Sequence, residues 1–196
     1  PRMLAFSEVM WTADSHRDFS EFHKRVRKHY VYLDGLGVKY GPEKGAIQFH
    51  ASLAEDAQSV KVEIEKGQEE LDLYYAFDSA NLSVQSEKYK RPLSIKKSSL
   101  LKVAAFNGTN QVGQSSTLKV ELSISTGKKL SLSYTPAEKY LAGGLQALAD
   151  GIKGSDRFYD GYWQGVEGQN MEIIVDLGEE TEVSSAGIGF LQSNPS

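Results

Sequence analysis

A chain of 196 residues is enough for one large domain or two small ones. At 40% hydrophobic and 24% charged it has an ordinary globular composition, and the lack of any cysteine excludes disulfides and thiol chemistry. With 22 basic against 26 acidic residues the net charge is −4 and no long basic run exists, so nucleic acid is a poor partner.

The chain opens on PRMLAFSEVMW. Ser7 and Glu8 break the apolar run and no small-residue cleavage site follows, so this is not a secretory signal. It is also far too short to span a bilayer. Pro1 suits the first position of a helix, and Leu4, Phe6, Val9 and Met10 would give it a broad apolar face that needs something large to pack against. Residues 12–34 predict a second helix. Ser15 and Asp18 have capping-box spacing, and Phe19, Phe22, Val26 and Tyr30 recur at helical intervals. Gly35 and Gly37 are stop signals, and VKYGPEKG reads as an exit loop.

The period then changes from helical to alternating. Val60, Val62 and Ile64 alternate with Lys61 and Glu63, and Leu71, Leu73, Tyr75 and Phe77 alternate through LDLYYAF. Leu101, Val103 and Ala105 form a third set, Leu118, Val120, Leu122 and Ile124 a fourth, and Leu130, Leu132 and Tyr134 a fifth after a TGKK turn. Short alternating runs separated by Gly, Ser, Asn and Pro predict an antiparallel sandwich over residues 43–134. Its core would hold Leu71, Leu73, Tyr75, Val103, Leu118, Val120, Leu122 and Leu132. Beyond 135, PAEKYLAGGLQALADGIKG reads as loop with one helical turn, and MEIIVDLG and VSSAGIGFLQS as strands.

The chemical motifs are few. His16, His23, His29 and His50 have no metal-ligand spacing and read as surface histidines; no phosphate-binding loop and no nucleophile elbow occurs. Glu8 beside Trp11 could meet a sugar, with a helix-end ion pair as the plainer alternative. Asn81-Leu82-Ser83 and Asn107-Gly108-Thr109 are glycosylation sequons at chance frequency. The richest segment is DGIKGSDRFYDGYWQG. There Asp150, Asp156 and Asp160 with Tyr159, Tyr162 and Trp163 could form a cation site or an aromatic platform for a sugar, and a loop packed by its own aromatics is the alternative.

Three stretches carry a resemblance. Arg2, Ala5, Glu8 and Trp11, then Phe22, Arg25, Leu33, Gly37, Val38 and Tyr40, resemble the last helices of the catalytic barrel in glycoside hydrolase family 20, the β-N-acetylhexosaminidases. Tyr75, Asp78, Ser86, Tyr89, Pro92, Lys102, Ala104 or Ala105, and Phe106 resemble the chitobiase C-terminal type of β-sandwich that follows such barrels. Ser79-Ala80 and Leu82 depart from its turn pattern. Asp150-Gly151, Trp163 and Val175-Asp176-Leu177-Gly178 are similar to the opening of a discoidin-like module, of the factor 5/8 type C kind.

The resemblance implies a mainly β chain: an antiparallel immunoglobulin-like β-sandwich over 43–134, two helices from the end of a TIM barrel over 1–42, and a partial discoidin-like segment over 135–196. It implies a parent that removes terminal N-acetylhexosamine from glycans by a retaining, substrate-assisted mechanism, one of the exceptions to the two-carboxylate scheme. In the family one Glu protonates the leaving oxygen and the Asp before it orients the acetamide. No adjacent Asp-Glu pair in that order stands in this chain, so no catalytic residue and no cofactor or metal is expected within it. The implied partner is an upstream catalytic barrel of the same polypeptide, and the implied location is extracellular or periplasmic. A glycan is a candidate ligand through Asp150, Tyr159, Tyr162 and Trp163. A carbohydrate-binding module acting alone and a structural spacer are the other readings. Self-association through the two ends, with their apolar helix and open strands, is expected as well.

Overall fold

The computed structural model describes residues 2–38, 47–79 and 81–191. It begins with helices α1 (Arg2–Trp11) and α2 (Phe19–Gly35), separated by a 3-10 turn at Asp14–His16. Strands β1 (Ile47–Leu53), β2 (Val60–Lys66), β3 (Asp72–Phe77), β4 (Glu87–Lys88) and β5 (Leu93–Ile95) follow. Then come β6 (Ser99–Asn107), β7 (Asn110–Val120) and β8 (Lys129–Leu132). A second 3-10 turn at Leu145–Ala149 precedes β9 (Ile152–Lys153) and β10 (Ile173–Asp176). The helices and the strands belong to two separate compact units.

In the helical unit, Asp18 rather than Ser15 caps α2. Its Oδ1 accepts the amide of Glu21 at 2.9 Å, while residues 14–16 turn aside as a 3-10 element. A carboxylate there satisfies an orphan amide and complements the helix dipole. Arg17 closes the end of α1, its Nε donating to Thr12 O at 3.0 Å and its Nη2 to Val9 O at 2.7 Å. Glu8 of α1 forms an ion pair with Arg25 of α2, the plainer of its two alternatives. α2 ends at Gly35, with Gly37 left-handed and Val38 N donating to Leu33 O at 2.9 Å. Phe22 and Val26 are buried and Tyr30 is half-buried, but Phe19 is exposed. On α1, Leu4 is half-buried while Phe6, Val9, Met10 and Trp11 are exposed.

The strand unit is mainly β and wholly antiparallel among the described strands. A three-stranded sheet runs β1-β2-β5, a five-stranded sheet β4-β3-β6-β7-β9, and a two-stranded ribbon pairs β8 with β10. Period-two alternation delivers the core. Val60, Val62 and Ile64 on β2, Leu73 and Tyr75 on β3, Leu101, Val103 and Ala105 on β6, and Leu118 and Val120 on β7 are all buried. β6 and β7 meet at a two-residue hairpin, the pair Asn107↔Asn110 flanking Gly108-Thr109, where the positive φ of Gly108 suits a tight turn. Tyr89 ties the two sheets together: its amide donates to Leu73 O on β3 at 2.8 Å, and its hydroxyl accepts Ile64 N on β2 at 3.0 Å.

The alternating and strand patterns stop short at four places, each for a local reason. Leu122, expected in the core, is half-buried, and Ile124 is exposed, because β7 stops at Val120. Ser98 Oγ accepts Leu122 N at 2.9 Å and donates to Leu122 O at 3.2 Å, and Ser123 N donates to Thr126 Oγ1 at 2.8 Å; hydroxyls thus displace the ladder. Leu132 is half-buried at the last position of β8, whereas Leu130 two residues earlier on the same ribbon is buried. Phe77 is exposed at the last position of β3, where Asp78 turns the chain with a positive φ. The stretch from Val183 to Leu191 forms no strand, and Val183, Ile188 and Phe190 are exposed. Gly187 and Gly189 flank Ile188 there, and glycine has neither the stiffness nor the side chain that a strand needs.

Candidate functional site

The loop from Asp150 to Gln164 is reached through β9, which pairs Ile152 with Val120 and Lys153 with Lys119 on β7. Asp150 makes the turn into β9, its Oδ1 accepting Ile152 N at 2.7 Å. Burial pushes its carboxyl up to about 6; the backbone amides and Lys153 oppose that shift only in part.

Tyr162 turns inward. Its hydroxyl donates to Phe49 O at 2.9 Å and accepts Ala51 N at 3.2 Å, both on β1. Its phenol is raised, first by burial, with Asp160 and Asp150 adding to the shift. Trp163 is half-buried, and its Nε1 donates to Ser155 O at 2.8 Å. The indole lies against Gly154 so closely that a Cβ there would meet ring atoms at 2.4, 2.5 and 2.9 Å, so glycine is required by contact. Asp160 joins the two halves of the loop, Oδ1 accepting Tyr162 N at 2.8 Å and Oδ2 accepting Ser155 N. Of the four candidate residues, then, Asp150 and Trp163 spend their polar atoms on the loop's own backbone, and Tyr162 spends its hydroxyl on β1.

Tyr159 is different. It is 68% exposed and stands edge-to-face with Phe158 at 5.1 Å; Phe158 in turn meets Tyr140 at 6.2 Å. Lys139 lies over the Tyr140 ring at 5.4 Å. The exposed surface is therefore a small aromatic cluster of Tyr140, Phe158 and Tyr159 with charged neighbours. Tyr140 escaped the sequence reading because it is brought in from another segment. The link is a pairing of Leu141 with Gln164, together with a hydrogen bond from Gly165 N to Tyr140 O at 2.9 Å. Gln164 was also missed. Its Oε1 accepts the Tyr134 hydroxyl at 2.7 Å, and its Nε2 donates to Gly144 O at 3.2 Å.

Among the described residues no group of three or more His, Asp or Glu stands where it could hold a metal ion. An open groove of about 730 Å³ lies elsewhere, along Lys129, Ser131, Asp176, Leu177, Glu179 and Thr181, and none of the four candidates lines it. No helix of the described residues is long and apolar enough to cross a membrane.

A family model described as Fn3 associated matches residues 62–120, from within β2 to the end of β7. That stretch is thus similar to a fibronectin-III-associated, β-sandwich-like domain, in keeping with its antiparallel sheets, and the match covers under a third of the chain. No curated protein matches the chain.

Proposed function

We propose that this chain is a non-catalytic accessory region of a β-N-acetylhexosaminidase of the family 20 type, with the sandwich following the last helices of a catalytic barrel. The observation that carries the reading is the Glu8–Arg25 ion pair. Those two residues, quoted from separate helices in the resemblance, meet each other. Support of the same kind comes from the sandwich. Asp78 accepts Leu100 N through Oδ1 at 2.8 Å, Tyr89 ties β2 to β3, and Phe106 is buried. Side chains picked out by the resemblance thus have structural work that explains their types. The discoidin-like reading of residues 135–196 belongs to the same proposal, as does an extracellular or periplasmic setting. Catalysis by the parent would be substrate-assisted, and this region would cap and orient rather than react.

Hydrolysis of an aryl N-acetyl-β-glucosaminide tests the proposal. This chain should show no turnover, and the full product of its gene should show it. Turnover by the chain that a point change within it abolishes, or an inactive full product, would refute the assignment.

A second reading is favoured by the exposed rings of Phe158 and Tyr159. Aromatic faces on a pinned loop, with polar groups beside them, suit the apolar C–H face of a sugar. In that reading residues 135–191 bind glycan through Tyr159 rather than through the inward Tyr162 and Trp163.

A further inference from the structure

Among the described strands β1 ends its sheet, paired on one side with β2. Its sequence, IQFHASL, is seven residues long and contains no lysine, no proline and no carboxylate. Long, uncharged edge strands invite pairing with other strands, and natural sheets blunt them with charge, proline, bulges or cover. β1 has the liability without the usual side chains that manage it.

Tyr162 stands at that edge instead. Main-chain groups of alternate residues in a strand point to opposite edges. Phe49 O and Ala51 N both meet Tyr162, so both face away from β2. A residue of an added parallel strand would bond this edge in the same way. It would give its N–H to the carbonyl before the residue it faces and take the N–H after it. The phenolic oxygen does both with one atom, and so fills the station centred on His50. Tyr89 acts similarly on β2. The pairing of β2 with β5 runs from Val60↔Ile95 to Val62↔Leu93, and the Tyr89 hydroxyl takes the next amide, Ile64 N. The two cases differ in their consequences, because β2 is an inner strand and β1 is not.

We propose that the outer edge of β1 is a strand-pairing surface for a second copy of this chain, and that Tyr162 is the plug that keeps it shut. The second copy docks its own β1 antiparallel about a two-fold axis, which joins two three-stranded sheets into one. Self-pairing of β1 brings no rows of like charge together; its one titratable side chain, His50, is already paired with Glu65 of its own sheet at 3.1 Å. A two-fold contact is also self-complementary and closes at the dimer. The plug is set by Asp160, which holds the amides of Tyr162 and Ser155, so the loop and the edge open together.

Tyr162→Phe tests this, since it keeps the ring and removes the oxygen. In sedimentation over a wide concentration range the variant should associate about tenfold more strongly than the unaltered protein, the scale set by one to two lost hydrogen bonds. The Ala51 amide should lose exchange protection in dilute Tyr162→Phe and regain it as concentration rises. Asp160→Ala, which leaves the hydroxyl in place but frees its loop, should move both readouts the same way. Adding Ala51→Pro to Tyr162→Phe removes the outward amide. Proline is tolerated where the N–H faces away from the ladder, and the double variant should sediment like the unaltered protein. A Tyr162→Phe chain that sediments like the unaltered protein at every concentration overturns the proposal. So does a double variant that associates as strongly as Tyr162→Phe. Should Tyr162→Phe fail to fold, a folded Asp160→Ala chain with a fast-exchanging Ala51 amide and no association overturns it equally.

Discussion

Strands β2, β3 and β6 and the loop Asp150–Gln164 lie in one compact unit but are held by different forces. In the strands, every second side chain is apolar and sealed: Val60, Val62, Leu101 and Val103 are all at 0% exposure. Their backbone groups are satisfied by neighbouring strands. In the loop, β9 is only two residues long, and side chains take over as backbone partners. Asp150, Ser155, Asp160, Tyr162, Trp163 and Gln164 all bond main-chain atoms. Burial is nondirectional and scales with area, whereas a side-chain-to-backbone bond works only with one residue type in one place. The first region should therefore respond to lost volume and the second to lost or altered polar groups.

The largest expected effect lies in the strands. Leu101→Ala empties a sealed position on β6 and should cost about 2–5 kcal/mol in denaturant unfolding. The same change at Leu122 should cost clearly less, because that side chain is half-buried past the end of β7. Equal losses at the two positions would mean that the core continues beyond Val120.

That pair of leucines also marks how far the sequence could be read. Alternation at Val60–Ile64, Leu71–Tyr75 and Leu101–Ala105 was legible because apolar period and sheet partner coincide there. It misled at Leu122–Ile124, where the period continues but Ser98, Ser123 and Thr126 offer the backbone other partners. β1 and the first half of β7 went unread. IQFHASL and NQVGQSST are too polar to stand out, and only pairing with β2 and β6 makes them strands. In the candidate site, composition singled out a loop but not the structural roles of the residues within it. Nothing in DRFYDGYWQG says that Tyr162 turns inward to Phe49 and Ala51 while Tyr159 turns out, since the deciding contacts come from more than a hundred residues away.

A middle-sized effect belongs to Asp150, where the loop is sensitive to charge. Its folded carboxyl, at about 6, lies above the ordinary aspartate value of 3.8. The folded state therefore holds a proton that the unfolded chain releases first. The stability this contributes is complete below pH 3.8, falls as pH rises, and is lost through pH 6. Asp150→Asn keeps an acceptor for Ile152 N and removes the titration. At pH 7 it should stabilise the protein by up to roughly 3 kcal/mol relative to the unaltered chain, an advantage that vanishes near pH 4. Urea unfolding of both proteins across that range measures the difference directly. A difference independent of pH would show that burial does not disfavour this carboxylate.

The smallest effect on stability should come from the most exposed ring. Tyr159 meets Phe158 edge-on, but among the described residues no hydrogen bond of its side chain holds the loop, whereas Trp163 in the same loop is bonded through Nε1 and packed on Gly154. Trp163→Ala should cost about 1–2 kcal/mol, as expected for a half-buried aromatic side chain, and Tyr159→Ala less than about 0.5 kcal/mol. This gap separates binding from folding. If Tyr159 and Phe158 form a sugar platform, Tyr159→Ala should abolish retention on a glycan array while the unfolding curve stays where it was. Loss of retention in Trp163→Ala would by itself say nothing, because that change also loosens the loop. Retention that survives Tyr159→Ala unchanged would leave the aromatic cluster as packing at the loop surface and the spacer reading as the better account of residues 135–191.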